Sequence, residues 1–302
     1  MSPPRSRPRS WTLAIAIAIT PRALFSFEPK SNNDTELSPK WRWNLDVTRC
    51  NITRISYSDL IAHHGSAGLP PLYHEPLVVY DDSSTSTSRA RRRTKFHAAT
   101  SCSNLVEAFP SGFEVTLTSS NSLSERRKVM PLADYVREHV LATEVMPDSK
   151  SNETWYLFGE TYTEKWKALL DGYVLPPCQT CEIEGATALA FGIGGVGSGV
   201  QWHVHGPGFS ESVHGRKHWV LYPPKKTVAE FHKDNSSRAW MEETYMDMVR
   251  AEGEDGRSLP WECTLEEGEM IYFPDMWWHA TINLDRYTVF VSSFTTEHNI
   301  GQ

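Results

Sequence analysis

Glu269-Met270-Ile271-Tyr272-Phe273-Pro274-Asp275-Met276-Trp277-Trp278-His279-Ala280-Thr281-Ile282-Asn283 holds two short strand-like runs, 269–273 and 278–283, on either side of a Pro-containing break. On both sides of it, Thr288 to Thr296, Lys217 to Tyr222, Val200 to His205 and Ala186 to Gly192 are runs of the same kind. One helical stretch, about 236–250, lies among them. Short strands separated by turn residues build sandwiches and barrels. Upstream the period changes. Leu132, Tyr135, Val136, His139 and Val140 repeat at helical spacing, which predicts an amphipathic helix over 131–145. A second helix is predicted at 163–171, with Thr163 as N-cap, Glu164 in its first turn and Gly172 past its end. Ser56 to Ile61 reads as a short capped helix ending near Gly65, and Pro76 to Tyr80 as a strand. The expected fold class is therefore mainly β with flanking helices.

The composition is that of a globular protein. The 302 residues are 39 % hydrophobic and 22 % charged, with a formal net charge of -7. This excludes a disordered polyelectrolyte, a collagen-like chain and a multi-span membrane protein. The acidic balance argues against nucleic acid as a partner, because phosphate neutralisation needs a basic surface.

The first residues read as an address. Arg5, Arg7 and Arg9 precede the apolar run Trp11 to Ile19, and no acid occurs before Glu28. That is the layout of a secretory signal peptide, expected over 1–27, and the run is too short to span a bilayer. A mitochondrial transit peptide is the competing reading. Residues 28–47 are a polar, Pro-punctuated lead-in, and 48–302 are expected to form one domain with its β core at about 150–296. Sequons at Asn33, Asn51, Asn152 and Asn235 fit a lumenal route. The expected location is the endoplasmic reticulum lumen or secretory pathway, with no membrane span once the signal is removed.

Five cysteines are an odd count. Cys178-Gln179-Thr180-Cys181 lacks the βαβ context of a redox motif and the second pair of a zinc site, so a small loop disulfide or two plain thiols is expected. Cys50 and Cys102 are paired by expectation, leaving Cys263 over. The basic cluster Arg89, Arg91, Arg92 and Arg93 comes after a Ser/Thr run and is expected to be a solvated surface loop.

Gly192-Ile193-Gly194-Gly195-Val196-Gly197 matches G-x-G-x-x-G. The next residues, Ser198-Gly199-Val200-Gln201-Trp202-His203, do not start a helix, and Lys217 stands where a ribose-binding acid belongs. The glycines are expected instead to make a close-approach turn between β strands.

The histidines carry the chemistry. His203 and His205 are two residues apart on an expected strand, so their imidazoles face one way. His279 opens another strand. Two ligands from one strand and one from a distant strand make a facial metal site for Fe(II), Zn or Cu. Lys217 enters a strand between them and suits an anionic co-substrate. The plainer alternative makes both histidines polar positions of a half-buried strand and Lys217 a surface lysine.

The blocks Gly199-x-x-x-His203-x-His205, Gly215-Arg216-Lys217-x-x-x-x-Tyr222-Pro223-Pro224 and Gly268-Glu269-x-x-Tyr272-Phe273-Pro274-x-x-Trp277-Trp278-His279 together resemble a jumonji-C (JmjC) domain over roughly residues 48–296. The resemblance implies a double-stranded β-helix, a cupin-like jelly roll. It also implies Fe(II) held by a His-x-Asp/Glu…His triad, and 2-oxoglutarate whose far carboxylate pairs with a lysine. His203 and His279 match the two histidine ligands, Lys217 matches the lysine, and Ser292 stands near a polar co-substrate contact. His205 departs from the pattern, which has a carboxylate there; Glu211, through a shifted strand, is the alternative source of one. Imidazole is still a good iron ligand, but a carboxylate's negative charge is lost. The resemblance thus implies one of two things. Either the chain is an Fe(II)/2-oxoglutarate-dependent hydroxylase of a protein substrate, or it is an inactive JmjC pseudoenzyme that binds a protein partner in the lumen.

Overall fold

The computed structural model describes residues 49–295, apart from 71–72, 83–86, 120–125, 143–154, 159–162, 182, 184–186, 229, 231, 233–235 and 252–257. The signal peptide and lead-in, and the sequons at Asn33, Asn152 and Asn235, lie outside the described residues.

The chain enters through β1 (Thr53–Ser56), α1 (Tyr57–His64), β2 (Leu77–Tyr80), α2 (Ser88–Ala99) and α3 (Cys102–Ala108). Then come β3 (Glu114–Ser119), β4 (Arg127–Pro131), α4 (Leu132–Tyr135) with a π-helical turn over Val136–Val140, β5 (Trp155–Phe158) and α5 (Glu164–Leu170). The core begins with β6 (Thr187–Gly194), β7 (Gly208–His214) and β8 (Lys217–Tyr222). After α6 (Ser237–Trp240), a second π-helical turn (Met241–Tyr245) and α7 (Met246–Arg250) come β9 (Trp261–Leu265), β10 (Met270–Phe273), β11 (Trp278–Asn283) and β12 (Thr288–Thr295). One sheet has nine strands in the order β1-β2-β10-β7-β12-β6-β5-β3-β4, and the other three in the order β11-β8-β9. This is the cupin-like double-stranded β-helix, mainly β with flanking helices.

Alternation along the strands decides what faces the barrel. On the large sheet, Phe191, Ile193, Val213, Val289 and Val291 pack outward against Phe96, Leu105, Tyr135 and Trp166 of the helical layer. Their neighbours Gly192, Gly194, Ser212, Phe290 and Ser292 therefore face the opposite side. On the small sheet, Val220, Tyr222, Ala280 and Ile282 pack against Trp240, Met241, Tyr245 and Met248 of the 237–250 helix. Lys217, Trp219 and Leu221 thus share the inner face with their β11 partners Asn283, Thr281 and His279. Each fully buried large apolar side chain in these layers contributes about 1.5–3 kcal/mol.

Four expectations need correction. Residues 88–99 are helix α2, not a loop. Arg93 binds Asp81, Glu211 and the Gly268 carbonyl. Arg89 and Arg92 donate to the carbonyls of Leu175 and Tyr173 at 3.1 Å. The basic cluster pins a helix to the barrel because long guanidinium arms reach carboxylates and free carbonyls that a solvated loop would not meet. The cysteine pairing also differs: Cys50 bonds Cys263, Cys178 bonds Cys181, and Cys102 is the free thiol. Residues 49–52 lie along β9, where Glu262 N donates to Asn51 Oδ1 at 2.7 Å, and this sets Cys50 beside Cys263. The helix expected over 131–145 spans Leu132–Val140, with residues 143–145 outside the described ones. Finally, Val200 to His205 is not a regular strand. It runs beside β11 but only His203 and His279 bridge. Side chains take over ladder positions there: Val200 N donates to Thr281 Oγ1 (3.1 Å) and Trp202 N to Gln201 Oε1 (2.8 Å).

Candidate metal centre

His203 and His279 exchange backbone hydrogen bonds at 3.1 and 3.0 Å, which places the irregular segment and the start of β11 side by side. His205, two residues on, joins them. The ligand atoms of His203, His205 and His279 lie within 4.8 Å of one another. Each ring is oriented in the same way. Nδ1 of His203 meets the Gln201 carbonyl at 2.7 Å, Nδ1 of His205 that of Gly206 at 2.8 Å, and Nδ1 of His279 that of Trp277 at 2.8 Å. A carbonyl only accepts, so each Nδ1 carries the proton and each Nε2 presents its lone pair. Nε2 of His279 faces Nε2 of His205 at 3.2 Å. Fixing the tautomer through a backbone carbonyl is how metal-binding histidines are prepared.

The walls are aromatic, with His279 buried and His203 and His205 half-buried. His279 packs against both Phe273 and Trp219, with centroids at 4.9 and 5.8 Å, and those two rings stack on each other at 5.6 Å. Phe294 and Phe273 meet His205 edge-on at 5.0 and 5.3 Å. Burial, then the neighbouring His205, pushes the His203 imidazole down to about 4, and burial holds His279 well below the ordinary imidazole value. Both are neutral at physiological pH and ready to ligate. The donor set fits a divalent transition metal. Glu211 cannot add a carboxylate: it neighbours the inner-facing Ser210 and Ser212 on β7, points the other way, and is held by Arg93 at 2.7 Å.

Lys217 lies on the same inner face and is fully buried. Its Nζ donates to Tyr156 OH at 2.7 Å and Asn283 Oδ1 at 3.1 Å, and sits 3.9 Å from the centre of the Phe290 ring. Asn283 is itself held: its Nδ2 donates to Ser198 Oγ at 3.0 Å, and that hydroxyl donates to the Gly195 carbonyl at 2.6 Å. The glycine-rich segment thus forms a close-approach turn that buttresses the lysine. A Cβ at Gly194 would come within 2.6 Å of Asn283, Ser198 and Tyr156 side-chain atoms, so only glycine fits. Burial lowers the Lys217 ammonium well below its ordinary value. Ser292 lies on β12 between Phe290, which covers Lys217, and Phe294, which packs on His205; its Oγ donates to Ser210 Oγ at 3.1 Å.

Three residues of this arrangement are not marked as site residues by the sequence reading. Asn283 shares the parity of His279 on one strand, so alternation would have found it. Tyr156 and Phe290 arrive from strands with no local mark of their role. Of the sequons, Asn51 is exposed; its Nδ2 donates to the Pro260 carbonyl at 3.2 Å and its Oδ1 accepts from Glu262 N at 2.7 Å.

A family of cupin-like domains matches residues 80–298. JmjC domain-containing protein 8 of Mus musculus is 38 % identical over 254 residues, 83 % of this chain and 84 % of that protein. The chain belongs to the cupin-like JmjC domain family. JmjC domain-containing protein 8 of Homo sapiens is 40 % identical over 201 residues, 67 % of this chain and 71 % of that protein. A more distant JmjC relative is the lysine-specific demethylase JMJ21 of Arabidopsis thaliana, 27 % identical over 212 residues, which make up 63 % of this chain and 20 % of that protein.

Proposed function

We propose that this JmjC chain is an Fe(II)- and 2-oxoglutarate-binding oxygenase of the secretory-pathway lumen that hydroxylates a protein side chain. His203, His205 and His279 would hold the metal, and Lys217 would receive the far carboxylate of 2-oxoglutarate. The observation that carries this reading is the burial of Lys217 on the face that also carries His279. A lysine buried without a carboxylate partner destabilises a fold, and an incoming dicarboxylate is the group that would offset that cost. Distant relatives named as demethylases support oxidative chemistry for the family.

Fe(II) and 2-oxoglutarate, when bound, supply the O2-dependent oxidation of a C–H bond. The chain does the rest. The carbonyls of Gln201, Gly206 and Trp277 hold the three Nδ1 protons and so leave Nε2 of each ring as the metal-ligating atom. Tyr156 and Asn283 hold Lys217 Nζ in place, and a carboxylate arriving there raises its proton affinity and so favours the charged ammonium. Ser292 offers a hydroxyl between the two anchor points. Phe273, Trp219 and Phe294 pack on His205 and His279 and cover the metal position from that side.

A second reading rests on His205. A third neutral imidazole leaves the bound metal with its full double charge, where a carboxylate would have halved it. That favours a JmjC pseudoenzyme that binds a protein partner. The lumenal location is supported by the two disulfides, since such bonds persist in oxidising compartments. Glycans at Asn33, Asn51, Asn152 and Asn235 belong to the same reading, as does the absence of nucleic acid among the partners.

Adding Fe(II) and 2-oxoglutarate to the protein without oxygen is the test. A visible metal-to-ligand charge-transfer band that is lost in Lys217→Met supports the oxygenase. A folded protein with no band sinks it and leaves the pseudoenzyme. His205→Asp restores the carboxylate; wild type that consumes 2-oxoglutarate beside a variant that does not would overturn the role given to residue 205.

A further inference from the structure

His97, His214 and Glu267 form a second cluster, away from the barrel triad, whose ligand atoms lie within 4.8 Å of one another. They come from three elements: the last turn of α2, the last residue of β7, and the turn between β9 and β10. Nε2 of His214 faces the His97 carbonyl at 2.9 Å and Thr100 Oγ1 at 3.1 Å. The Thr100 hydroxyl donates to the Phe96 carbonyl at 2.9 Å, so both oxygens act as acceptors and Nε2 of His214 carries the proton. Nδ1 of the neutral ring is then a bare lone pair. It looks at Glu267 Oε2, 3.9 Å away. That oxygen also accepts from Gly215 N–H at 3.3 Å, and the other carboxylate oxygen lies 2.7 Å from His97 Nε2.

Two acceptors thus face each other with no proton between them. A proton does not bridge the 3.9 Å between them, which is longer than a hydrogen bond. A divalent cation does. Two imidazoles and one carboxylate are a zinc donor set, and its bond lengths of about 2.0–2.2 Å need only small adjustments of the half-exposed His97 and Glu267. The carbonyl that fixes the His214 tautomer comes from His97 itself, so one ligand orients the other. His97 and Glu267 also line a cavity of about 460 Å³, which leaves room for a water or a fourth ligand on that side.

We propose that His97, His214 and Glu267 bind Zn2+ and that the metal clips helix α2 to the barrel. The site adds to the contact that Arg93 already makes between α2 and the same turn through the Gly268 carbonyl.

The full chain, stripped with a chelator and dialysed, is titrated with Zn2+ alone by calorimetry, and bound metal is counted. In a His203→Ala/His279→Ala chain, one equivalent of Zn2+ is expected to remain and to raise the unfolding temperature. Adding His97→Gln or Glu267→Gln, both at half-exposed positions, should remove that equivalent. Zinc stoichiometry that His97→Gln and Glu267→Gln leave unchanged overturns the proposal. If the triad variant does not fold, the same two substitutions in the otherwise native chain serve: each must lower the total bound zinc by one equivalent, and no loss again overturns it.

Discussion

Nε2 of His279 and Nε2 of His205 lie 3.2 Å apart, each with its Nδ1 proton committed to a backbone carbonyl. Two lone pairs at that distance repel unless something positive sits between them. The barrel triad should therefore bind divalent metal with a clear gain in stability. At a metal concentration of 100 times Kd the gain is about 2.7 kcal/mol, which for a domain of this size raises Tm by roughly 5–10 °C. Thermal unfolding with and without Fe(II) under anaerobic conditions, in a His97→Gln background, measures it. His279→Ala should abolish the shift; an equal shift in that variant would place the metal elsewhere.

Lys217 gives the pH prediction. Its folded-state proton affinity is lowered by burial, so the folded chain holds this proton less tightly than the unfolded chain does. Stability from this group is complete above the unfolded value of 10.5 and falls as pH drops from there towards the folded value. Lys217→Met removes the penalty and fills the space, at the cost of partners for Tyr156 and Asn283. The variant should be more stable than the native chain by about 1–2 kcal/mol at pH 7. The difference should shrink as pH approaches 10.5. Urea unfolding across pH 7 to 10 reads it, and a difference that stays constant with pH would mean Lys217 is charged in the folded protein.

The strands around the two histidine blocks are legible because apolar and turn residues alternate sharply there: β8, β10, β11 and β12 fall within one residue or so of their expected bounds. Strand β7, Gly-Phe-Ser-Glu-Ser-Val-His, is not legible, although all seven residues are buried. Its serines and glutamate read as surface, yet the strand is central in the large sheet and its Glu211 is buried only because Arg93 meets it. Helix α2 hides for the matching reason. A run of Ser, Arg and Lys has no apolar stripe, and only Phe96 of it is buried. Both differences have one cause: a buried ion pair couples two polar segments 118 residues apart, and single-segment patterns carry no trace of it. The histidine pair does face one way, as the spacing predicts, but not through a regular strand. The geometry comes instead from a bridge to β11 and from carbonyls that only the folded chain brings into place.

Arg93 is accordingly a strong point of the fold. Its guanidinium joins Asp81, Glu211 and the Gly268 carbonyl, with 14 % of the side chain exposed. Arg93→Met leaves Glu211 buried and unpaired, which should cost about 3–5 kcal/mol. Chemical denaturation measures the loss. The double variant Arg93→Met/Glu211→Gln should recover part of it, because the uncompensated charge is then gone; no recovery would show that the arginine acts through packing alone.

Gly192 controls the cover over the lysine. A Cβ built there would meet Phe290 Cζ at 2.0 Å, and the same ring lies 3.9 Å from Lys217 Nζ. Gly192 lies on β6 opposite Phe290 on β12, so the ring rests in the space that the missing side chain leaves. Gly192→Ala must displace the ring towards the lysine or tilt it away. Overpacking of this kind costs about 1–3 kcal/mol. The consequence for binding is more specific. A ring pushed onto Nζ narrows the place where a carboxylate would dock, so the apparent affinity for 2-oxoglutarate should fall while metal binding at the histidines stays close to native. Parallel calorimetric titrations with metal alone and then with 2-oxoglutarate separate the two. Equal weakening of both would mean that the whole barrel has loosened and that Phe290 has no particular hold on the lysine.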